Sequence, residues 1–258
     1  MLLTFLFSRK IASLATLVLV MVGVGAGVWQ VKRAQGKIAL GNELIQMEAL
    51  KPVSLLEKDW SLQEINYRRV FVRGYFLPEY AIWLDNRPRP SPEMGGSNLG
   101  HSGFYVLMPF QIEGKENKVI WVNRGWVPRD VEDRLRLPKI ETPQQTIQIQ
   151  GLVFSGPGKV FELGSEKSDD EKMTSKKPRV MQNFILEDQI KIGGWNQFPF
   201  IVRQSDPNNG DGLSRNWPPI TFGVDRHYAY AFQWFSLAAC ATLFWLITGW
   251  LAYRKQMS

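Results

Sequence analysis

The chain holds one cysteine, Cys240, and two histidines, His101 and His227, among 258 residues. That scarcity excludes several chemistries. Cys240 lies inside an uncharged run near the carboxy terminus, so neither an intrachain disulfide nor a cysteine metal cluster is available, and the redox compartment stays open. There is no GxSxG, no HExxH and no cysteine nucleophile, and two histidines leave few general bases, so the chain is read as a non-enzyme. Basic residues outnumber acidic ones by 31 to 24, a net charge of +7. The excess is spread along the chain and flanks two hydrophobic runs, which fits membrane anchoring and sets nucleic acid aside.

Those two runs organise everything else. Ala229 to Tyr253 carries no formal charge over about 25 residues, enough to cross a ~30 Å hydrocarbon layer as a helix. Trp250 and Tyr253 beside Arg254 and Lys255 anchor one end, and Tyr228, Tyr230 and Trp234 anchor the other. Near the amino terminus, Ile11 to Val31 forms a second run between Arg9 Lys10 and Lys32 Arg33. A cleaved signal peptide competes for this stretch, but the apolar run continues past the small residues at Gly23 to Gly27 into Val28 and Trp29, so a retained anchor is favoured. The expected organisation is a cytoplasmic tail over 1–10, spans over 11–31 and 229–253, a domain over 32–228 and a cytoplasmic tail over 254–258. Arg9, Lys10, Arg254 and Lys255 place both tails inside, which puts the central domain in the periplasm or its mitochondrial equivalent. The short leader, too short for an Arg- and Ser-rich transit peptide, favours a bacterial inner membrane.

On a helix, His227, Tyr230, Ala231, Trp234, Ala238 and Ala241 share one face, with His227 at the outer membrane surface. Two readings stay open for this face. It is either an aromatic belt with an interfacial histidine, or a cradle for a flat ligand such as a haem with His227 as axial ligand. Counting from the charged ends puts Gln30 and Gln233 at the same membrane level, so Trp29 and Gln30 are expected to face Gln233 and Trp234. Gly23 and Gly27 allow close approach of another helix, either the last span or a separate membrane protein.

Between the runs, Ile38 to Met47 continues the first helix until Pro52. Strands are expected at Val70 to Leu77 around Gly74, Ala81 to Leu84, Phe104 to Ile112, Lys118 to Val127, Thr146 to Phe154 and Phe198 to Val202. Asp85 to Pro88 reads as a turn, Pro88 to Gly100 as a loop, Gly164 to Pro178 as a solvated insertion, and Phe184 to Gly193 as a short helix stopped by glycine. The fold class is therefore a membrane α+β protein, two transmembrane helices bracketing an antiparallel β-rich domain, a small barrel or sandwich of about six strands. Arg87 and Arg124 are read as scaffold, bonding to nearby loops such as those of Asp85 or Asp130. Trp121 and Trp126 fall on opposite faces of one strand, one for the core and one open to a partner. His101 is read as ordinary surface.

Six tracts in order resemble the surfeit locus protein 1 family of cytochrome c oxidase assembly factors. They are Gly27 Val Trp Gln Val Lys Arg, Gly74 Tyr Phe, Leu84 Asp Asn Arg, Gly103 Phe Tyr Val Leu Met Pro Phe, Val122 Asn Arg Gly Trp Val Pro, and His227 x x Tyr Ala x Gln Trp Phe. The chain departs from the family at Arg226, where asparagine is common, and in the charged insertion. The resemblance implies a helper that binds haem a through His227 and assists its insertion into oxidase subunit I. It also implies Trp29, Gln30, Tyr230, Gln233 and Trp234 as the haem surround, and other oxidase assembly factors, with haem a synthase as a further candidate, as partners. The alternative is a membrane-anchored interaction protein that steadies immature subunit I without touching haem.

Overall fold

A computed structural model describes residues 9–90, 102–130, 132–133, 136–160, 178–189, 194–207, 210–218 and 223–257. Its contacts divide the chain into a helical unit, Met1–Glu43 with Ile220–Ser258, and a β unit, Leu44–Pro219. The Pro88–Gly100 loop beyond Pro90, His101, the insertion from Gly164 to Lys177 and the glycine stop at Gly193 lie outside the described residues.

The first apolar run and its extension form one helix, α1 (Lys10–Ala49), without a break. No proline interrupts it until Pro52, and the β-branched residues are interspersed with good helix formers. The last run forms α3 (Val224–Met257). Each is long and apolar enough to cross a membrane, and most of their large apolar side chains are exposed, as lipid contact requires. The two pair antiparallel. Arg9 donates to Thr248 Oγ1 at 3.3 Å and Trp245 Nε1 donates to Ser13 Oγ at 3.1 Å, while Gly23 abuts Ala238 and Gln30 meets His227 farther along.

Burial shows why they pair. On α1 the covered positions include Thr16, Val20, Gly23, Gly27, Gln30, Ala34, Lys37 and Gly41, a series whose steps alternate four and three. On α3 they include His227, Ala231, Trp234, Ala238, Ala241 and Trp245, in the same alternation. A repeat averaging about 3.5 residues keeps one narrow seam in contact, as in a coiled coil. Of the two partners open to the Gly23 and Gly27 pair, the structure selects the last helix. A Cβ on Gly23 would sit 2.9 Å from the Trp234 carbonyl oxygen and 3.0 Å from Ala238 Cβ, whereas one on Gly27 would meet the ring of Phe235. Backbone cannot yield as a ring can. Gly23→Leu is therefore expected to cost about 1–3 kcal/mol of helix pairing, and Gly27→Ala much less. The check is oxidative cross-linking of Ser13→Cys to Trp245→Cys in a Cys240→Ala background, with the yield falling roughly tenfold in Gly23→Leu.

Among the described residues the β unit contains eight strands: β1 (Val53–Ser54), β2 (Arg69–Phe76), β3 (Ile82–Pro88), β4 (Ser102–Ile112), β5 (Lys118–Pro128), β6 (Ile147–Phe154), β7 (Arg179–Met181) and β8 (Asn196–Gln204), with one helical turn, α2 (Leu62–Ile65), before β2. Five of them close a ring, β2–β6–β8–β5–β4 and back to β2. Strand β2 makes the corner at Gly74, which pairs with Ile147 of β6 on one side and Ile112 of β4 on the other. A Cβ there would lie 1.9 Å from the Gln111 carbonyl oxygen, so only glycine lets the strands approach closely enough to close.

Inside the ring pack Val70, Val72, Phe104, Val106, Phe110, Ile120, Val122, Phe200 and Val202. A second cluster, with Leu84, Leu107, Trp121, Phe184 and Ile201, covers part of the outer face. The expected hairpin is β4–β5, antiparallel from Gly103↔Pro128 to Gln111↔Val119.

Several local expectations differ from the structure. The pairs β1–β2, β3–β7 and β5–β8 are parallel. Each joins strands separated by a long connection, so no hairpin imposes the opposite sense. The turn read at Asp85 to Pro88 is instead a bulge inside β3. Asn86 adopts φ 57, and pairing resumes at Arg87↔Gly103, because asparagine tolerates the left-handed conformation where an extra residue must be absorbed. Only Glu187–Gln189, a single 3₁₀ turn, is helical within the described part of the stretch from Phe184. Neither Trp121 nor Trp126 is open to a partner, since both are at most 4% exposed. Trp121 fills the outer cluster, and Trp126 Nε1 donates to the Arg87 carbonyl at 3.0 Å.

Candidate functional site

The amino-terminal end of α3 and the middle of α1 bring two polar groups together in a seam built mainly of small and apolar residues. Gln30, with 9% of its surface exposed, sits opposite His227, and Gln30 Oε1 lies 2.7 Å from His227 Nδ1. With the amide oxygen turned toward the ring, the contact is a hydrogen bond in the tautomer that carries the proton on Nδ1. The lone pair is then on Nε2, the ring nitrogen that faces away from the glutamine. Metal-bound histidines are usually held this way, by an acceptor on the nitrogen that does not bind.

The seam also fixes the depth of this pair. The Arg9–Thr248 contact and the Gln30–His227 contact are separated along α1 by about 21 residues, or about 30 Å, the thickness of the hydrocarbon layer. The imidazole is thus at one apolar boundary, and the basic side chains on this side, Lys32, Arg33 and Arg226, are exposed, as is the acidic Asp225. Arg33 and Lys37 lie close enough to His227 to act on it electrostatically, so an anion beside the ring would find positive potential.

The other expected site residues divide. Trp234 stays on the seam, half-buried, next to Gly23. Tyr230 is 52% exposed and Trp29 58% exposed, and Gln233 is exposed as well. None of the three is on the covered seam between the helices. Tyr230 sits beside the seam because the contact strip of a coiled-coil pair is narrower than the apolar face of a surface helix. Gln233 does not oppose Gln30; the partner of Gln30 is the histidine. Among the described residues no three His, Cys, Asp or Glu side chains gather to hold a metal ion. A free imidazole lone pair of this kind can donate to a metal that arrives with its other ligands already in place.

Sequence reasoning placed Arg87 and Arg124 in the scaffold, and both are buried there, at 3% and 1% exposure. Their partners are different from those expected. Arg87 donates to the carbonyls of Gly158 and Gln182. Arg124 donates to Thr142 Oγ1 at 2.7 Å, to the Glu141 carbonyl at 3.0 Å and to Asp211, which also pairs with Arg215. Burial draws the Arg124 guanidinium down to about 10 while Asp211 holds it up, so the ion stays charged at neutral pH. Asp85 pairs with Arg129, and Asp130 accepts from the backbone N–H groups of Glu132 and Asp133.

Two membrane-compatible helices carrying a closed β-barrel domain, with a histidine held at the helix seam, define a class of membrane-anchored β-barrel proteins. The SURF1 family model matches residues 17–239. The chain belongs to the SURF1 family, a family of cytochrome oxidase assembly factors. It is 30% identical to a SURF1-like protein of Drosophila melanogaster over 86% of this chain and 72% of that protein. A SURF1-like protein of Rickettsia bellii is 26% identical over 95% of this chain and 91% of its own length. Surfeit locus protein 1 of Homo sapiens is 36% identical over 41% of this chain and 37% of the human protein.

Proposed function

We propose that this protein binds haem a through His227 Nε2 and assists its insertion into subunit I of cytochrome c oxidase, working from the bacterial inner membrane with the β domain in the periplasm. The observation that carries this reading is the 2.7 Å contact from Gln30 Oε1 to His227 Nδ1, which leaves Nε2 as the basic nitrogen at the lipid boundary. Bound there, the haem supplies an iron with open coordination. Everything else is done by the chain. Gln30 holds the ring in one tautomer and orientation, and Trp29, Tyr230 and Gln233, exposed at the same level, present apolar and polar surface beside it. Lys32, Arg33 and Arg226 are placed to meet propionates where the helices leave the membrane. A single protein ligand suits transient holding, because exchange needs one bond broken.

The partners proposed are oxidase subunit I and other oxidase assembly factors, with haem a synthase as a source of the haem. The alternative role, steadying subunit I without haem, is less favoured because the Gly23 and Gly27 surface is taken up by α3 of the same chain. The test is to purify the full chain from cells that make haem a and record its absorption spectrum. A haem a spectrum at up to one haem per chain is expected, and a colourless protein under those conditions would contradict the reading.

The glutamine separates ligand from bystander. Gln30→Leu removes the acceptor and is expected to weaken haem retention roughly 10–100-fold, while Gln30→Glu keeps an acceptor, retains haem and lowers the iron midpoint potential. Titration by dye competition and by redox potentiometry reads the two effects separately.

A further inference from the structure

The β unit has a cavity of about 560 Å³ on its outer face, among the segments 154–159 and 184–187, the end of β8 and the 217–218 stretch. That volume is within the range of small-molecule sites. Its walls are aromatic, with Tyr67, Tyr105, Phe154, Phe184 and Trp217, and into it open the side chains of Asn123 and Arg203. These two are register partners across β5 and β8, which sets them side by side on one face of the sheet.

Both have unused polar capacity. Asn123 is 2% exposed, and its Oδ1 meets no donor among the described residues. The Arg203 side chain makes no hydrogen bond or ion pair among the described residues, in contrast to Arg87 and Arg124. Its guanidinium is instead pressed against Phe154 at 4.2 Å and Trp217 at 5.1 Å, and burial pulls it down to about 10. Glu48 acts on it only through space, its carboxylate being paired with Arg69. The rings are themselves fixed: Trp217 Nε1 donates to the Gln204 carbonyl at 2.7 Å and its ring meets Tyr105 edge-on at 5.5 Å. Tyr67, on the wall, adopts φ 61, a conformation unusual for an aromatic residue and one that tends to be retained at functional sites.

A half-buried cation with no anion in contact among the described residues, beside a buried acceptor without a donor, is costly unless a ligand completes both. We infer that this cavity binds a flat, apolar monocarboxylate that carries one hydrogen-bond donor, the carboxylate on Arg203, the donor on Asn123 Oδ1 and the ring against Phe154 and Trp217. The half-enclosed shape suits a small molecule rather than a peptide strand. This site is independent of His227.

The test uses the full-length protein in lipid nanodiscs with indole-3-acetate as the probe, followed by saturation-transfer NMR and by titration. Tryptophol, which replaces the carboxylate with an alcohol, and 1-methylindole-3-acetate, which lacks the donor, are each expected to bind at least about tenfold more weakly. Arg203→Gln is expected to give the same loss for indole-3-acetate while leaving tryptophol unchanged. Lys159 lines the mouth and is exposed, so Lys159→Glu, which disturbs no core contact, is expected to weaken the carboxylate several-fold and provides the reading if Arg203→Gln misfolds. Equal binding of the acid and the alcohol, or an affinity for the acid unmoved by Lys159→Glu, would overturn the inference.

Discussion

His227→Ala is expected to lower the haem a retained on the purified protein at least about tenfold, with the residual spectrum shifted away from that of an iron–imidazole complex. The expectation rests on the shortage of substitutes. His101 is the only other histidine in the chain, and no cluster of metal ligands occurs among the described residues. His227→Met offers a weaker, softer ligand and is expected to retain an intermediate amount. The fold should not respond, because among the described residues His227 makes one side-chain hydrogen bond, on a helix held by its small-residue seam. Circular dichroism together with the Ser13–Trp245 cross-link checks that point, and His101→Ala should leave the spectrum unchanged.

The second large effect is on stability. Asp211→Asn is expected to destabilise the β unit by about 3–5 kcal/mol, equivalent to a fall of about 10 °C or more in Tm. The carboxylate is 8% exposed and lies between Arg124, 1% exposed, and Arg215. Arg124 is further packed over the Phe76 ring at 4.5 Å, inside the barrel wall. Removing one negative charge leaves two guanidinium groups facing each other without compensation, which costs more than the loss of one hydrogen bond. Asp59→Asn is the control. Its salt bridge to Lys118 is at the surface, where 79% of the aspartate side chain is exposed, and water screens it. Denaturation followed by tryptophan fluorescence should show a lower midpoint for Asp211→Asn and an unchanged one for Asp59→Asn.

How far the sequence revealed these features depended on their range. The helices were legible because a charge-free run of span length suits little besides a lipid-crossing helix, and the β4–β5 hairpin because two alternating stretches flank a turn. Closure of the barrel was not, although Gly74 was visible inside its strand. Nothing local says that a Cβ there would strike Gln111. The short strands β1 and β7 pair through only two and three residues, too few to give a period. Asp211 was missed because its partner Arg124 is 87 positions away and a lone acidic residue between glycines resembles any turn.

For the candidate site, His227 and Gln30 were each legible as polar groups at a membrane boundary, but their pairing was not. The helical period grouped His227 with Tyr230 as well as with Ala231 and Trp234, whereas the coiled-coil seam keeps Ala231 and Trp234 and leaves Tyr230 exposed. A signal was present in the glycine spacing. Gly23, Gly27 and Gln30 follow the seven-residue pattern of a packed seam, and extending it would have placed Gln30 in the contact.

The most direct measurement is electron–nuclear double resonance on the ferric protein, purified with its haem from cells fed ¹⁵N-histidine. With two histidines in the chain, the assignment needs two variants. A ¹⁵N coupling to iron in the wild type and in His101→Gln, absent in His227→Ala, is the predicted result. A coupling that persists in His227→Ala, or that vanishes in His101→Gln, would contradict the account.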